Sequence, residues 1–503
     1  MTAEDLDQSF HRKKAHFHDY ISKIKQNAPW DIFTIVNPTL IKNPYASSFP
    51  KLFFENDKSI RNKIFFFLFN TIKFYTKSFY LFNSYLLAFM VYKIYYKKQR
   101  KRSVKTIIDV FGLVNKTIEE DIFNENYLTG IYEVFERYNK HYTLLLRLYG
   151  ISKNPLKLRK FFQIINEDKR DFIFEFEFLL LKDFIELFVL IIAYPFKTLR
   201  LIQKESTSTD NIFNQSLFND LKYVSFDGFT RYLFGKNIAR IDTIETVYSW
   251  SEFQVIERSF NFAIRKKNTK IQLIACQFYL NYETYFNSYI DELDDTMQFS
   301  PHKVLVNGKY YILDRKKVLY KGGVSLRYKN IFNFKGIIEE KNILLLGSYI
   351  EKDTQYMLES VKSFDKIIFK NHPAVNTRRF GQLPKNITIS NENIYTLFEN
   401  AKFVLATASG TAVEAVACGI SVIIVASQNN LTANPLVDYG KGKIWDIAYT
   451  RHEVQIHYNK LLRYREEHPE EILEIARWYK NNFFIEPTEE NILNVFGITK
   501  ERE

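Results

Sequence analysis

Residues that could bind an anion or move a proton follow two short apolar runs in the second half of the chain. They are Lys370, His372 and Pro373 after the run KIIF, and Ser409, Gly410, Thr411 and Glu414 after the run FVLA. Small residues and hydroxyls at the start of a helix offer N–H groups to an anion, and lysine adds positive charge. An imidazole can hold or release a proton, and a carboxylate can accept bonds from ribose hydroxyls. The set is typical of a site for a nucleoside phosphate.

Each of these features also has a structural interpretation. A His-Pro pair is usually a turn, and a Ser or Thr that opens a helix usually caps it. The run SGTAVE has the pattern of a capping box. We favour the functional interpretation because the carboxyl ends of parallel strands meet at one sheet edge, where ligands bind.

Strands and helices alternate from about residue 240 onwards. The strands expected in this part are Thr243–Tyr248, Lys270–Ala275, Lys303–Val306, Tyr310–Leu313, Asn342–Leu346, Lys366–Phe369, Ile387–Ser390, Phe403–Ala406 and Ser421–Val425. Short apolar strands that alternate with helices indicate parallel sheets covered on both faces. We therefore predict an α/β fold with two Rossmann-like domains that face a cleft.

The first 205 residues show a mostly helical pattern, with amphipathic stretches at Ile118–Tyr149 and Asp168–Leu201. Between Lys58 and Ile108 there are twelve Lys or Arg and no Asp or Glu. This basic, aromatic segment fits the surface of an anionic membrane, the solvated face of a helix, or a nucleic acid. No nucleic-acid-binding motif supports the last interpretation, so we expect no nucleic-acid partner.

Composition narrows the class of protein further. The 503 residues correspond to about two to four domains, and 46% hydrophobic residues exclude a disordered chain. Cys276 and Cys418 lie in apolar runs and show no disulfide or metal spacing. The apolar stretches Ser78–Tyr92 and Phe178–Phe196 are too short or too interrupted by charge to span a bilayer, which indicates buried or interfacial helices.

The segment KNHPAV, followed about thirty residues later by ATASGTAVEAVACGISVIIV, resembles the nucleotide-binding half of GT-B glycosyltransferases. It is most similar to bacterial capsule and surface-polysaccharide enzymes with a His-Pro motif, of the sialyl-, Kdo- and CDP-glycerol-transferase type. The resemblance covers roughly 340–450 well and 243–330 weakly, and it does not extend to 1–240. It implies that His372, Ser409 and Thr411 hold the donor phosphate and that Glu414 contacts ribose.

The resemblance also implies that the first domain carries the acceptor and a catalytic base. Bacterial sialyltransferases have an Asp/Glu-Asp/Glu-Gly motif there, whereas Phe226-Asp227-Gly228 lacks the first acid. Glu252 is the alternative, because it follows a predicted strand and would face the cleft. Glu252 also has a structural interpretation, in which its carboxylate stabilises the N-terminus of a helix. We predict Glu252 and His372 as the catalytic residues, and Arg327 as either a phosphate-binding or a surface arginine.

These interpretations predict three parts of the chain. Residues 1–335 form an acceptor-side domain, with a helical basic region at about 58–205 and a Rossmann-like part at about 220–335. Residues 336–485 form the nucleotide-sugar-binding domain, and 486–503 form a helix that crosses back.

The predicted activity is transfer of a sugar from a nucleotide-activated donor, with a CMP-sugar favoured, to a surface-polysaccharide or lipid-linked glycan acceptor. Neither a metal nor a cofactor is expected, since no Asp-x-Asp follows a strand. The alternatives are a nucleotide-sugar 2-epimerase and a non-catalytic scaffold that binds nucleotide or glycan. The polar N-terminus lacks a secretory signal. We therefore expect a cytoplasmic protein, with peripheral contact at the inner face of the cell membrane.

Overall fold

The computed structural model describes residues 1–44, 46–56, 62–97, 104–149, 154–268 and 270–498. Parts of the predicted basic segment lie outside these residues, namely Lys58 with its neighbours and the cations Lys98, Arg100, Lys101 and Arg102. The described chain forms two parallel β-sheets with helices packed against both faces.

The described ranges contain thirteen strands and twenty-one α-helices. The strands are β1 (Thr106–Leu113), β2 (Thr143–Tyr149), β3 (Phe172–Phe174), β4 (Thr246–Trp250), β5 (Gln272–Gln277), β6 (Lys303–Val306), β7 (Leu319–Gly322), β8 (Asn342–Leu346), β9 (Ile367–Lys370), β10 (Ile387–Ile389), β11 (Ala401–Ala406), β12 (Ser421–Val425) and β13 (Trp445–Ala448). The helices are α1 (Ala3–Asn27), α2 (Ile32–Ile35), α3 (Pro38–Ile41), α4 (Phe49–Glu55), α5 (Lys63–Tyr95), α6 (Val114–Glu120), α7 (Ile131–Arg137), α8 (Pro155–Glu167), α9 (Glu175–Phe178), α10 (Leu181–Thr198), α11 (Ser208–Asn219), α12 (Phe226–Ile238), α13 (Val255–Lys267), α14 (Glu292–Thr296), α15 (Asn330–Asn333), α16 (Glu351–Ser360), α17 (Ile394–Phe398), α18 (Thr411–Ala417), α19 (Arg451–Glu467), α20 (Pro469–Phe483) and α21 (Glu489–Phe496).

The first sheet has seven parallel strands in the order β3-β2-β1-β4-β5-β6-β7. Successive residues of a strand enter different cores: Ile107 packs on one face and Ile108 on the other. Burial on both faces explains the continuous apolar runs. The chain adds strands outward from β1 to β3 and then starts again at β4, on the other side of β1. The strand order therefore reverses between β1 and β4, and such a switch point is where ligands bind in sheets of this type.

The second sheet has six parallel strands in the order β10-β9-β8-β11-β12-β13. Leu344 and Leu345 enter opposite cores, and all five residues of β12 are buried. The strand order reverses between β8 and β11. The predicted fold class is confirmed: two Rossmann-like α/β domains face a cleft in a GT-B-like arrangement, with a helical region before β1.

The structure corrects the helical interpretation of residues 58–205. Three strands of the first sheet, β1, β2 and β3, lie within this range, so the Rossmann-like part is not confined to 220–335. Short apolar runs such as TLLLRLY carry no period that separates a buried strand from a buried helix. The strand expected at Tyr310–Leu313 is also wrong: a 3-10 turn occupies Lys309–Tyr311, and the edge strand is β7.

The helix α1 contacts both domains. The ammonium group of Lys25 lies 2.7 Å from an oxygen of Asp294 and 2.8 Å from one of Asp291, both in the first domain. Near the other end of the helix, the N–H of Thr432 in the second domain donates to Asp7 at 3.0 Å. The helix therefore ties the two domains together.

The chain returns to the first domain after α20. The N–H of Ile485 donates to the hydroxyl of Ser325 at 3.0 Å, and α21 packs against α7. Tyr138 donates to Glu489 at 2.6 Å, and Tyr248 donates to the carbonyl of Phe496 at 3.2 Å. The last described segment therefore belongs to the core of the first domain.

Candidate active site between the domains

A cavity of about 460 Å³ lies between the domains, at the carboxyl ends of strands from both sheets. The second domain contributes the turns after β8, β9 and β11, so the cavity lies at the switch point of the second sheet. The first domain contributes the turns after β4 and β5. All eight residues predicted as catalytic or donor-binding line this cavity: Glu252, Lys370, His372, Pro373, Ser409, Gly410, Thr411 and Glu414.

His372 follows β9 in a turn that fixes its ring. The side chain of Asn371 donates to the carbonyl of Val375 at 2.7 Å and accepts from the N–H of His372 at 2.9 Å. The N–H of Ala374 donates to Nδ1 of His372 at 3.1 Å. Burial lowers the pKa of His372 below its usual 6.5. The ring is therefore neutral at pH 7 with its proton on Nε2, so it can donate one hydrogen bond.

The turn after β11 brings small residues close to the first domain. Ala408 has a left-handed backbone, with φ 43°, and α18 begins three residues later at Thr411. A Cβ at Gly410 would lie 3.1 Å from Leu280, so glycine permits the close approach. The helix has Gly410 as its N-cap and no side-chain cap. The capping interpretation of Ser409 is therefore wrong.

Glu414 is almost fully buried at the inner end of the cavity. Tyr395 on α17 donates to one of its carboxylate oxygens at 2.5 Å. Burial raises the pKa of Glu414, while the bonds from Tyr395 and Thr411 and the charge of Arg327 oppose the shift. Tyr395 was not predicted, because its contact with Glu414 depends on how α17 packs against α18.

Two cations face the cavity. Lys370 donates to the carbonyl of Glu392 at 2.5 Å, and burial lowers its pKa. The guanidinium of Arg327 lies 5.3 Å from the centre of the Trp250 ring, and no carboxylate of the described residues lies within salt-bridge distance of it. The sequence left Arg327 as a phosphate-binding or a surface residue; it lines the cavity with its charge unpaired.

Glu252 follows β4 at the first domain's side of the cavity. Its carboxylate accepts from the indole N–H of Trp250 at 3.3 Å. The cap of α13 is supplied by Glu257, which accepts from the N–H of Gln254 at 2.8 Å. The interpretation of Glu252 as a carboxylate that stabilises the helix N-terminus stays a prediction, as does its catalytic role. Phe253, the next residue, is left-handed with φ 52°, and this turn separates Glu252 from the helix.

Tyrosines form much of the remaining wall and were not predicted. They are Tyr279, Tyr282, Tyr285, Tyr328 and Tyr349. Burial raises the pKa of the Tyr282 hydroxyl, and the nearby backbone of Gly410 opposes the shift. Three of the tyrosines lie in the irregular run that directly follows β5. Their position after a strand of a parallel sheet was the available signal.

A second cavity of about 430 Å³ adjoins the first. Glu252 and Gln254 line both of them. We call this cavity the inner chamber. Its wall includes Tyr85 of α5, Phe111 of β1 and Arg147 of β2. The chamber therefore lies at the switch point of the first sheet, directly behind Glu252.

A chain of buried charges supports the inner chamber. Arg147 lies 3.1 Å from Asp109 and 2.5 Å from Glu257. Arg231 lies 2.6 Å from Asp109 and 3.0 Å from Glu175. Burial raises the pKa of Glu257 to about 7, although Arg147 opposes the shift. Buried charges of both signs stabilise one another here, so the wall of the chamber is rigid and polar.

Asp227 lies on the first turn of α12 and is exposed to the inner chamber. The surrounding protein raises its pKa to about 6, first by desolvation and then through the charge of Glu175. The incomplete acidic motif noted in the sequence therefore places its one carboxylate in the same chamber that Glu252 lines.

Across the described ranges, no group of three His, Cys, Asp or Glu is arranged to hold a metal ion. The buried carboxylate of Asp294 is paired with Lys25 and Arg258. Metal-independent chemistry and the absence of a cofactor stay predictions.

No family model matches the chain, and no curated protein matches it. Solved structures that match include the glycosyltransferase of kitacinnamycin, at 11% identity and a TM-score of 0.42, covering 79% of this chain and 100% of that chain. A UDP-GlcNAc 2-epimerase of Methanocaldococcus jannaschii with UDP-GlcNAc and UDP has 13% identity and a TM-score of 0.43, covering 78% and 99%. The wall teichoic acid polymerase TagF has 10% identity and a TM-score of 0.37, covering 85% and 96%. Matches this distant assign neither a family nor an activity to the chain.

Proposed function

We propose that the protein is a glycosyltransferase that moves a sugar from a nucleotide-activated donor to a hydroxyl group of an acceptor. The observation that carries this proposal is the convergence of Glu252 from the first domain with His372, Ser409 and Glu414 from the second in one cavity. A donor phosphate fits near His372 and Arg327, which offer a neutral N–H donor and an unpaired guanidinium. Glu414 is the acceptor for ribose hydroxyls.

The reaction follows from these positions. The acceptor oxygen attacks the anomeric carbon, and its proton passes to the carboxylate of Glu252. The bond between the anomeric carbon and the phosphate oxygen breaks, and its electron pair stays on the phosphate. Negative charge on that oxygen grows as the bond breaks, so the hydrogen bond from Nε2 of His372 strengthens in the transition state. Arg327 from the first domain and Lys370 from the second contribute positive charge to the cavity.

We assign the acceptor to the inner chamber. It opens beside Glu252, and its aromatic and charged walls suit a sugar, which presents both apolar faces and hydroxyls. A nucleotide-sugar 2-epimerase binds no acceptor, so a second cavity that shares the proposed base favours transfer. The motif resemblance favours a CMP-sugar donor and a surface-polysaccharide or lipid-linked glycan acceptor, at the inner face of a membrane.

The test is a donor-turnover assay with CMP-, CDP-, UDP- and GDP-sugars, with and without glycan acceptors. We expect release of one nucleotide, faster with acceptor than without. Glu252→Gln should slow transfer. Glu245→Gln is the matched control, because Glu245 lies just before the opposite end of β4 and forms an exposed ion pair with Lys105.

Other outcomes would contradict the proposal. Formation of an isomeric nucleotide sugar without nucleotide release, seen by NMR, would identify an epimerase. Binding of a nucleotide sugar without any conversion would identify a scaffold.

A further inference from the structure

The helix α10 exposes an apolar stripe to solvent. The stripe consists of Leu181, Ile185, Phe188, Val189, Ile192, Phe196 and Leu199. These residues recur at intervals of three or four, which places them on one side of the helix. Leu181, Ile185 and Phe196 are 72%, 69% and 61% exposed. The opposite side, which includes Phe184 and Leu187, is buried in the core of the first domain.

The helix α5 extends this apolar surface. Its first turns expose Ile64, Phe65, Leu68, Phe69 and Ile72. The two helices meet where Tyr75 donates to the carbonyl of Ile192 at 2.8 Å and where the Phe79 and Phe188 rings lie 5.6 Å apart. Leu68 and Ile72 share the stripe of Tyr75 and Phe79, because the spacing is four, three and four residues. We call the combined surface the α5–α10 face.

Positive charge surrounds this face. Lys73 and Lys93 on α5 and Lys182 and Lys197 on α10 are exposed and form no ion pair with any described residue. The two carboxylates of α10 do not neutralise these lysines, because each has another partner. Asp183 is buried and accepts a hydrogen bond from Asn237 at 3.0 Å, and Glu186 forms an ion pair with Lys236 at 2.5 Å. The face therefore combines apolar side chains with uncompensated cations.

We propose that the α5–α10 face docks on an anionic lipid bilayer. The apolar side chains enter the boundary between headgroups and acyl chains, and the lysines contact lipid phosphates. Exposed apolar surface of this extent is uncommon in a monomeric soluble protein. The exposed lysines around the face favour a lipid surface over an apolar protein partner, because their positive charge is complementary to anionic headgroups. In the described part of the chain, no helix is long and apolar enough to cross a membrane, so the contact is interfacial.

This inference deepens the membrane location proposed above, and its test has no catalytic readout. The full-length protein is floated with vesicles of phosphatidylcholine, with and without phosphatidylglycerol, at low and high salt. We expect flotation with the anionic vesicles, weakened by salt. The variant Leu181→Gln/Ile185→Gln/Phe196→Gln should lower the lipid partition coefficient about 100-fold, because three side chains lose their apolar burial.

A matched control uses Leu156→Gln/Ile338→Gln/Leu473→Gln, since these residues are 69%, 78% and 58% exposed on other surfaces. Its partition coefficient should stay within about twofold of the wild type, as expected for side chains that remain in water. Lys182→Gln/Lys197→Gln should weaken the preference for anionic vesicles, because the lysines of α5 remain. All replaced side chains are exposed, and melting temperatures verify that each variant folds.

Three results would overturn the proposal. The wild type could fail to float with anionic vesicles, or both triple variants could bind equally well. Alternatively, the protein could form a dimer without lipid that the α10 variant abolishes, which would make the face a contact between two copies. Loss of donor turnover with normal flotation would instead contradict only the proposed function.

Discussion

Replacement of His372 by alanine tests the proposed role of the imidazole. The N–H of Ala374 donates to Nδ1 of His372, so the proton of the neutral ring is on Nε2 and can be donated to a ligand. A hydrogen bond to a charged phosphate oxygen contributes about 1.5–3 kcal/mol. At about 1.4 kcal/mol per decade, kcat should fall about 10- to 150-fold. The loss should appear in kcat more than in KM, because the charge on the phosphate oxygen grows in the transition state.

The fold should tolerate this change. The variant loses only the local bond to Ala374, which contributes about 1 kcal/mol at most. Asn371 continues to hold the turn through Val375 and Thr377. Melting temperature and donor turnover are measured on the same preparation. His452→Ala is the control, because His452 is an exposed histidine on α19.

The outcome can refute the reasoning directly. If His372 is only a turn residue, the variant loses melting temperature while each folded molecule keeps its turnover. Full activity per folded molecule would therefore end the catalytic assignment. A reduced kcat with an unchanged melting temperature would support it.

Three further predictions concern residues of the first domain. The variant Glu252→Gln keeps a hydrogen-bond acceptor for Trp250 but removes the proposed base, so kcat/KM should fall about 10²- to 10⁴-fold. The donor affinity measured by calorimetry should not change. A transfer rate within tenfold of the wild type would contradict the assignment. Arg231→Met breaks a buried ion pair with Asp109 and should lower the free energy of unfolding in urea by about 3–5 kcal/mol. Lys105→Met, at an exposed ion pair, should lower it by less than about 1 kcal/mol, and equal effects would contradict the buried network. Burial raises the pKa of Asp220 from 3.8 to about 6, so the folded state binds the proton more tightly. From pH 4 to 7 the wild type should therefore lose about 2 kcal/mol of stability relative to Asp220→Asn. A pH-independent difference in stability between the two proteins would refute the shift.

The second domain could be predicted closely from the sequence. The strands β8 and β12 occur at the predicted residues, because each is a short apolar run between polar or turn residues. The alternation of strand and helix then fixes which turns lie at the carboxyl edge of the sheet. The positions of His372 and Ser409 at one edge follow from that alternation alone.

The first sheet was harder to predict because its strands are interleaved with long helices. The run TLLLRLY of β2 is buried on both sides, so neither the strand period nor the helix period is visible in it. Arg147, within the same run, is an ion-paired core residue rather than a sign of a solvated helix face.

The cavity walls contributed by irregular segments could not be predicted from local patterns. Arg327 and the tyrosines after β5 reach the cavity only because the chain folds back between the domains. Their positions depend on tertiary contacts such as the close approach of Gly410 to Leu280.

Two residues beside the site adopt a backbone conformation that their residue types disfavour. Phe253 and Ala408 adopt left-handed backbones, with φ 52° and 43°, where glycine would be favoured. Such conformations cost about 1–3 kcal/mol each and persist only where surrounding packing holds them. Both residues are buried, at 1% and 5% exposure, so that packing is present. One directly follows Glu252 and the other directly precedes Ser409. Because tertiary packing forces these two turns, it also determines the direction in which the proposed base and the proposed phosphate-binding turn face each other across the cleft.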